Sequence, residues 1–279
     1  MSLPALAVTG STGRLGGRVS RRLADAGVAQ RLVVRDPARA PVLDGAEVVR
    51  ADYADAAAAR VALAGVRTLV MVSGAEAADR VDQHRRFIDA AAAAGVRHVV
   101  YTSFAAASAD ATFTLARDHW ATEQHLRASG MDWTFLRDNL YLDLVPQFAD
   151  DDGVLRGPAA DGCFAGVAID DVADAAVAVL ADPPAHRGAG YTLTGPEALT
   201  LTEVAETVSE ATGRQVRYQA ESMEEAHRSR AAYGAPDWMV EAWISTYVAI
   251  ASGELAEVSP DVERLTGHPA TSLRALLQH

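Results

Sequence analysis

The sequence contains no lysine, and all 25 of its basic residues are arginine in a chain of 279 residues. Lysine is needed for Schiff-base chemistry, for the Walker phosphate loop and for the Tyr-x-x-x-Lys pair of ordinary short-chain dehydrogenases. The sequence therefore excludes these three kinds of site. Asparagine is almost as scarce, since Asn139 is the only one. The codons of both amino acids are rich in A, so a GC-rich genome accounts for the bias.

Cysteine, positive charge and long apolar segments are scarce as well. Cys163 is the only cysteine, which excludes an internal disulfide and a cysteine-built metal site, and the histidines show no ligand spacing. The formal net charge of −12 argues against nucleic-acid binding, because phosphate contacts need concentrated positive charge. No apolar run reaches the ~18 to 20 residues that span a bilayer, and the N-terminus leaves no room for a signal peptide. We therefore predict a cytoplasmic protein with no metal, nucleic-acid or membrane partner. The sequence does not indicate whether the protein is a monomer or an oligomer.

Short apolar segments alternate with helical segments in the first half of the chain, as in a parallel sheet covered by helices. Strands are predicted over residues 5–8, 31–34, 47–50, 68–72, 97–101 and 133–136. Helices are predicted over residues 15–26, 55–64, 78–94 and 115–128. Each helix ends beside a glycine, the residue that most often follows a helix. The pattern predicts an α/β fold with a doubly wound parallel sheet.

The second half of the chain has a different pattern. A loop-rich stretch follows Pro146, and then a helix over residues 171–181 and a strand over residues 191–194 resemble another unit of the first half. From Thr200 onward the sequence predicts a strand over residues 216–219 and helices over residues 202–212, 223–233, 238–251 and 259–266. Aromatic residues recur near helical spacing at Trp238, Trp243 and Tyr247, which predicts packing of the lobe, with the wall of an apolar substrate cleft as the alternative.

Glycines at positions 10, 13 and 16 follow the first predicted strand and lead into the first helix, in the sequence Thr-Gly-Ser-Thr-Gly-Arg-Leu-Gly-Gly. Glycines allow a tight turn, close backbone approach to a pyrophosphate and close packing of helix on strand. The free N–H groups and the dipole at the helix N-terminus then favour the anion. We predict a dinucleotide site, with a merely structural turn as the alternative. Its residues are Gly10, Ser11, Thr12, Gly13, Arg14, Leu15 and Gly16.

The glycine turn gives the two halves of the chain different predicted roles. Residues 1–150 are predicted to form an NAD(P)-binding Rossmann core, which residues 165–195 rejoin. Residues 151–279 are predicted to form a smaller, mostly helical lobe on the substrate side. We expect this lobe to pack on the core and not to fold independently.

The residues after the second predicted strand decide between the two nicotinamide dinucleotides. The residue that contacts the adenine ribose is expected just past this strand, ~20 residues beyond the glycines. Here Arg35 comes first, Asp36 follows, and Arg39 lies one helical turn later. A guanidinium matches a 2′-phosphate with paired hydrogen bonds, whereas an acidic residue would accept from a free 2′-hydroxyl. We predict NADPH bound by Arg35 and Arg39, and Asp36 leaves NADH as the alternative.

Six short motifs share a family pattern. They are the Thr-Gly-x-x-Gly-x-x-Gly turn, Val-Arg-Asp-Pro-x-Arg at 34–39, residues 51–53, 72–74 and 101–103, and Thr-Phe-Leu-Arg-x-Asn-x-Tyr at 134–141. With them the chain resembles the NmrA-like atypical short-chain dehydrogenases, within the branch of type 2 NADPH:quinone oxidoreductases and triphenylmethane reductases. The resemblance implies an adenine near Asp52 and Tyr53 and a cofactor lined by Ser73 and Gly74. It also places Tyr101, Thr102 and Ser103 beside the nicotinamide.

Three further residues are candidates for catalysis. Relatives often carry a lysine four residues before a helix glutamate, where this chain has His119 before Glu123. His119 is a candidate to bond the nicotinamide ribose or donate a proton near neutral pH, or else it faces a polar cleft wall. Asn139 and Tyr141 follow the sixth predicted strand, at the edge where doubly wound sheets bind ligands. They are candidates to bind a substrate carbonyl, and the alternative is a loop asparagine that caps a turn.

These residues lead to one main functional hypothesis and two alternatives. We predict an NADPH-dependent reductase that transfers hydride to a small apolar or aromatic acceptor, such as a quinone. A quinone takes hydride readily and needs no strong built-in acid, which fits a chain without the tyrosine–lysine pair. A protein that binds NADP(H) as a non-catalytic redox sensor is the first alternative, because the fold alone does not imply catalysis. The second is a ketoreductase or isomerase of secondary metabolism.

Overall fold

The structure is a computed structural model that describes residues 4–278. Residues 1–3 and 279, which the predicted core and lobe include, lie outside the described residues. The chain divides into two compact units. The first comprises the chain up to Ser103 together with Asp118–Arg137 and Val172–Tyr191. The second comprises Phe104–Arg117, Asp138–Asp171 and the chain from Thr192 onward. The predicted division at residue 150 stays a prediction.

A seven-stranded sheet forms the centre of the α/β architecture, which confirms the predicted fold class. The eleven strands are β1 (Leu6–Thr9), β2 (Gln30–Val34), β3 (Ala46–Arg50), β4 (Thr68–Met71), β5 (His98–Phe104), β6 (Asp132–Asp138), β7 (Val154–Gly157), β8 (Cys163–Phe164), β9 (Ala189–Leu193), β10 (Leu199–Thr200) and β11 (Arg217–Ala220). The sheet has the order β3-β2-β1-β4-β5-β6-β9, and its pairings from β3 to β5 are parallel. The order reverses between β1 and β4, and the carboxyl ends of these two strands form the edge where such sheets bind ligands.

Ten helices accompany the strands among the described residues. They are α1 (Arg14–Asp25), α2 (Ala56–Ala62), α3 (Arg80–Ala93), α4 (Thr114–Ala128), α5 (Ile169–Ala181), α6 (Leu201–Thr212), α7 (Met223–Ala231), α8 (Asp237–Ser252), α9 (Asp261–Thr266) and α10 (Leu273–Leu276). Every predicted strand and helix is present, with ends shifted by at most three residues. The predictions missed α10 and the short strands β7, β8 and β10, of which β7 pairs with β11 and β8 with β10.

Each unit has a hydrophobic core of its own. In the first unit the central strands are buried on both faces, so that all five residues of β2 and all seven of β5 are buried. Because both faces are buried, the apolar residues of these strands do not alternate with exposed ones, and polar residues within them, such as Arg31 and Thr102, are buried as well. The core of the second unit contains buried apolar residues of α6 and α8, such as Ile250, together with Phe164 of β8. Among residues 4–278 no helix combines the length and hydropathy needed to cross a bilayer.

Candidate functional site

The glycine turn lies in the first unit, between the end of β1 and the start of α1. Gly10 has a φ of +66°, which disfavours any side chain, and its carbonyl accepts from the Gly13 N–H at 2.8 Å. A Cβ atom on Gly16 would lie only 2.4 Å from the Gly10 carbonyl oxygen, so the helix packs on the turn at a distance that only glycine permits. The backbone of the turn therefore remains open to close approach from the sheet edge.

The N-terminus of α1 is suited to an anion. Its N-cap residue is Gly13, which has no side chain with which to cap the first N–H groups, and its first turn contains no acidic residue. By contrast, α6 and α7 cap themselves with a serine or threonine paired with a glutamate. The buried Ser11 hydroxyl has no hydrogen-bond partner among the described residues. Uncapped N–H groups, helix dipole and orphaned hydroxyl together fit a dinucleotide pyrophosphate.

The other residues predicted for this turn divide by exposure. Thr12 and Arg14 are exposed, whereas Leu15 is buried in the first unit. Leu15 therefore anchors the start of α1 by packing, and only its backbone faces the turn.

The segment after β2 leaves two arginines exposed. Arg35 precedes a 3₁₀ turn, Pro37–Arg39, and Arg39 ends it; both arginine side chains are exposed to solvent. The Asp36 carboxylate caps this turn by accepting from the Ala38 N–H at 3.0 Å. Because Asp36 is engaged in its own turn, the guanidinium groups are the better placed of the polar groups for a phosphate. The geometry therefore favours the arginines over the acidic residue as the contact with the adenine ribose.

Tyr53 ties the ends of β1 and β4 together. Its hydroxyl donates to the Val72 carbonyl at 2.6 Å and bonds to the Thr9 hydroxyl at 2.6 Å. Thr9 in turn accepts from the Val72 N–H at 2.9 Å. Burial raises the pKa of the Tyr53 phenol above its usual value, so the phenol stays protonated. The neighbouring Asp52 accepts from the Ala54 N–H at 2.9 Å and so shapes the same loop.

The loop after β4 is fixed by hydrogen bonds to its backbone. The Ser73 N–H donates to the Thr102 hydroxyl at 2.9 Å, and the Gly74 N–H donates to His84 Nε2 at 2.9 Å. Thr102 is itself buried at the end of β5. Ser73 and Gly74, which are predicted to line the cofactor, are therefore held in place by side chains of β5 and α3.

A buried chain of polar side chains continues from this loop. His84 Nδ1 lies 2.9 Å from the Thr122 hydroxyl, and Thr122 donates to the Asp118 carbonyl at 2.8 Å. On the other side of the cluster, the Tyr101 hydroxyl lies 3.0 Å from His119 Nδ1. A guanidinium nitrogen of Arg80 lies 3.1 Å from His119 Nε2. We call these residues the histidine network. It comprises Arg80, His84, Tyr101, His119 and Thr122.

The partners fix the proton positions of both imidazoles. A guanidinium and a backbone N–H can only donate, so His119 Nε2 accepts from Arg80 and His84 Nε2 accepts from Gly74. Each neutral ring then carries its proton on Nδ1, and donates it to Tyr101 or Thr122. The predicted candidate His119 thus acts as a neutral hydrogen-bonding group in a defined tautomer.

Burial keeps both imidazoles uncharged. It lowers the pKa of His84 to about 3, and the charge of Arg80 lowers it further in the same direction. Burial also lowers the pKa of His119 well below its usual value, again with help from Arg80 and His84. A neutral imidazole is a very weak acid, so the lowered pKa disfavours proton donation by His119 near neutral pH, and the predicted role of His119 in the site stays a prediction. Tyr101 is fully buried, and burial raises its pKa too.

Arg80 is one of three residues of this network, with His84 and Thr122, that the sequence did not identify. Its side chain is only 5% exposed, its Nε has no partner among the described residues, and its nearest carboxylate oxygen, on Asp118, is 3.8 Å away. Arg80 and His84 both lie near the start of α3, where charged and polar residues resemble a solvated helix face. Only the packing of α3 on the sheet buries them.

Ser103 belongs to a second buried cluster. Its hydroxyl donates to Glu123 Oε1 at 2.7 Å, and Arg137 binds both oxygens of the same carboxylate at 2.8 and 2.6 Å. Glu123 is completely buried, and the paired hydrogen bonds from Arg137 compensate its charge. Ser103 therefore holds β5 against α4 with its hydroxyl.

Asn139 and Tyr141 lie in the second unit and are held by the protein itself. The Asn139 amide donates to the Leu255 carbonyl at 3.0 Å and accepts from the Leu140 N–H at 2.7 Å, in a side chain only 2% exposed. The Tyr141 hydroxyl donates to the Asp138 carboxylate, and burial next to this carboxylate raises its pKa well above its usual value. The geometry favours the alternative for Asn139, a side chain that fixes a loop. No cluster of His, Cys, Asp or Glu suited to a metal occurs within the described chain.

The chain is similar to known reductases over almost its whole length. The model of the NmrA-like family matches residues 4–272. Quinone oxidoreductase 2 of Escherichia coli is 36% identical over 281 residues, which cover 98% of each chain. A crystal structure of an Escherichia coli NADPH-dependent quinone oxidoreductase with NADPH superposes with a TM-score of 0.89, at 36% identity, covering 98% of this chain and 99% of that one. The Citrobacter triphenylmethane reductase with NADP(H) gives 0.86 at 32% identity, with the same coverage.

Proposed function

Because the chain belongs to the NmrA-like family, we propose that it is an NADPH-dependent reductase that transfers hydride to an apolar conjugated acceptor such as a quinone. The observation that carries the proposal is the turn between β1 and α1, where Gly16 brings the helix within a distance that no side chain permits. The names of similar proteins, a quinone oxidoreductase and a triphenylmethane reductase, support the same reaction class. We further propose that the protein acts in the cytoplasm and needs no nucleic-acid partner.

In this proposal the cofactor lies along the carboxyl edge of the first unit's sheet. The backbone of residues 10–16 and the free Ser11 hydroxyl hold the pyrophosphate at the start of α1. Arg35 and Arg39 hold the 2′-phosphate with paired hydrogen bonds. The loop of Ser73 and Gly74 follows β4 at the reversal of strand order, where dinucleotides cross such sheets.

The buried side chains behind this edge act by positioning. Thr102 and His84 hold the loop after β4 through its backbone N–H groups. The Tyr101 ring lies edge-on to His84, and its hydroxyl bonds to His119. NADPH, when bound, supplies the hydride, and the acceptor gains the hydride and one proton to become a hydroquinone. The rigid edge keeps the reacting groups oriented and excludes water, which is the main contribution that this chemistry asks of the protein.

The state of the phenols favours quinones over simple ketones. An ordinary short-chain dehydrogenase lowers the pKa of its tyrosine with a lysine, and this chain has no lysine. Here burial raises the pKa of Tyr101 instead, and the adjacent His119 is neutral. Tyr101 is thus a weak proton donor. A ketone needs proton donation as the alkoxide forms, whereas a reduced quinone is a stable anion that can take its proton from water.

The proposal is tested by anaerobic NADPH oxidation with a panel of quinones and a panel of simple ketones at equal concentrations. We expect turnover with quinones well above the uncatalysed rate and none with ketones. Tight NADPH binding without turnover of any acceptor would instead support the redox-sensor alternative. Turnover restricted to ketones would support a ketoreductase.

A further inference from the structure

The second unit contains a cavity of about 540 Å³ whose residues the proposed function does not use. Its volume lies in the range of sites that bind small organic molecules. Aromatic rings from separate parts of the unit line it. They belong to Phe148, Phe164, Tyr233, Trp243 and Tyr247. All of these residues belong to the second unit.

The ring of Tyr247 in the inner wall of the cavity is fixed by its neighbours in the protein. Tyr247 lies on α8 directly over β7, where a Cβ atom on Gly157 would come within 2.2 Å of its ring. Glycine at this position therefore makes room for the tyrosine. The Arg230 guanidinium covers the same ring at 5.1 Å from its centre. One turn before Tyr247 on α8, Trp243 meets the Tyr233 ring edge-on at 6.0 Å.

The rim of the cavity exposes large apolar side chains. Phe148 is 52% and Tyr233 is 72% exposed, and both line the cavity. Exposed aromatic surface that surrounds a concave site is typical of ligand binding, because a ligand removes that surface from water. The rim therefore adds apolar contact area to that of the inner wall.

The charged groups of the cavity compensate one another. Arg230 donates to Glu221 at 2.7 Å and to the Arg156 carbonyl at 3.0 Å, and the Glu221 side chain is also buried. Arg156 in turn pairs with Asp150 at 3.3 Å and donates to Gln219 at 2.8 Å. A charged ligand would have to lose its hydration and compete with these existing pairs. A neutral ligand meets no such cost.

We propose that this cavity binds an uncharged, planar molecule of two or three fused aromatic rings, and that it discriminates against charged molecules of the same shape. The fused rings of the ligand lie in the cavity between the side chains of Trp243 and Tyr247. Phe148 and Tyr233 cover the edge of the ligand that faces solvent. The proposal concerns binding alone. It holds whether or not the protein reduces the ligand.

Three probes with one ring system test the proposal on the full chain. They are 9-hydroxymethylanthracene, which is neutral, anthracene-9-carboxylate and 9-aminomethylanthracene, and fluorescence anisotropy measures their binding without NADPH. We expect the neutral probe to bind at least about tenfold more tightly than either charged probe, a difference of about 1.4 kcal/mol. Equal affinities, or no binding of the neutral probe up to its solubility, would overturn the proposal.

Two variants with matched controls locate the bound probe. Trp243→Ala removes a wall, and its control is Trp238→Ala on the same helix, outside the cavity. Phe148→Ala removes an exposed rim residue whose loss leaves the core intact, and its control is Val258→Ala, exposed elsewhere on the unit. We expect both cavity variants to weaken binding of the neutral probe about tenfold and both controls to change it less than twofold. Binding by Phe148→Ala at the wild-type affinity would place the probe elsewhere. NADPH oxidation with quinones is assayed separately, so a failure of the proposed function is seen independently.

Discussion

Arg80 places a charged guanidinium among buried side chains, with its nearest carboxylate oxygen, on Asp118, 3.8 Å away. A buried charge costs free energy unless it is paired and hydrogen-bonded. The neighbours of this guanidinium are His119, which bonds to Tyr101, and His84, which holds the loop after β4 through a backbone N–H. The Arg80 charge disfavours protonation of both histidines, and its N–H fixes the tautomer of His119. Arg80 therefore keeps the support of the loop in a single hydrogen-bonding state.

At the scale of single residues, the two exposed arginines after β2 determine the predicted preference for NADPH over NADH. Replacing Arg35 and Arg39 by alanine should raise the KM for NADPH about tenfold or more, because charge-assisted bonds to the 2′-phosphate are lost. The KM for NADH should change little, since NADH has no such phosphate. Steady-state kinetics with both cofactors measures the difference. Arg60→Ala, an exposed arginine on α2, is the control. Equal changes for NADPH and NADH would contradict the assignment.

At the scale of elements, α1 differs from the helices of the second unit in how it begins. α6 and α7 satisfy their first N–H groups with their own side chains, Thr200 and Glu203 in one and Ser222 and Glu225 in the other. α1 has Gly13 as its N-cap residue, and its close packing on the turn after β1 depends on Gly16. The start of α1 is thus shaped for a ligand, while the starts of α6 and α7 are shaped for stability.

Gly16→Ala should separate α1 from the turn. The added methyl would lie 2.4 Å from the Gly10 carbonyl oxygen, so the helix must shift and the pyrophosphate contacts are lost. We expect the Kd for NADPH, measured by titration, to rise more than about tenfold. Gly190→Ala in β9 of the same unit is the control, because a methyl group there would meet no atom within 4 Å. If both variants bind NADPH equally well, the close packing at Gly16 is not required.

Elements were predictable where their sequence pattern is local. Strands β1 to β6 each contain a short apolar run between turns, and the helices among them end beside glycines such as Gly27 and Gly95. The strands β8 and β10 have two residues each, too few for any periodicity to appear. β7 forms by pairing with β11, sixty residues further along the chain. Such a pairing depends on the folded second unit, which no local pattern contains.

At the scale of the whole molecule, the glycine turn and the arginines were predictable, but the supports of the site were not. Residues 10–16 occur in a fixed spacing that reflects backbone geometry, and Arg35 follows a recognisable strand. Arg80 and His84 lie on a polar helix end, and only tertiary packing buries them. Asn139 was prominent because asparagine is rare here, yet its amide bonds to the backbone of Leu255, which the sequence could not indicate.

Buried neutral histidines should make the whole molecule sensitive to acid. The folded-state pKa of His84 is about 3 and its unfolded value is 6.5, so between these values the unfolded chain binds a proton that the folded chain excludes. Its stabilising contribution is complete above pH 6.5 and is lost as the pH falls toward 3. From pH 7 to pH 5 this single group should lower the free energy of unfolding by about 2 kcal/mol.

Urea unfolding of wild type and His84→Gln at pH 7 and pH 5 measures this contribution. Between pH 7 and pH 5 the free energy of unfolding of the variant should fall by about 2 kcal/mol less than that of wild type, whatever its value at pH 7. His227→Gln is the opposite control, because hydrogen bonds to the Met223 carbonyl and to Glu241 raise the pKa of this exposed histidine. Removing His227 should make the acid loss slightly steeper. An unchanged slope in His84→Gln would contradict a buried neutral His84.

The histidine network contains two ring N–H groups that proton NMR spectroscopy can observe directly. The Nδ1 protons of His84 and His119 are held inside the first unit by Thr122 and Tyr101, so exchange with water is slow and each should give a separate proton resonance far downfield. His84 receives its other hydrogen bond from Gly74, on the loop proposed to contact the cofactor. A nucleotide that moves this loop should shift the His84 resonance, and occupancy could be followed without a label.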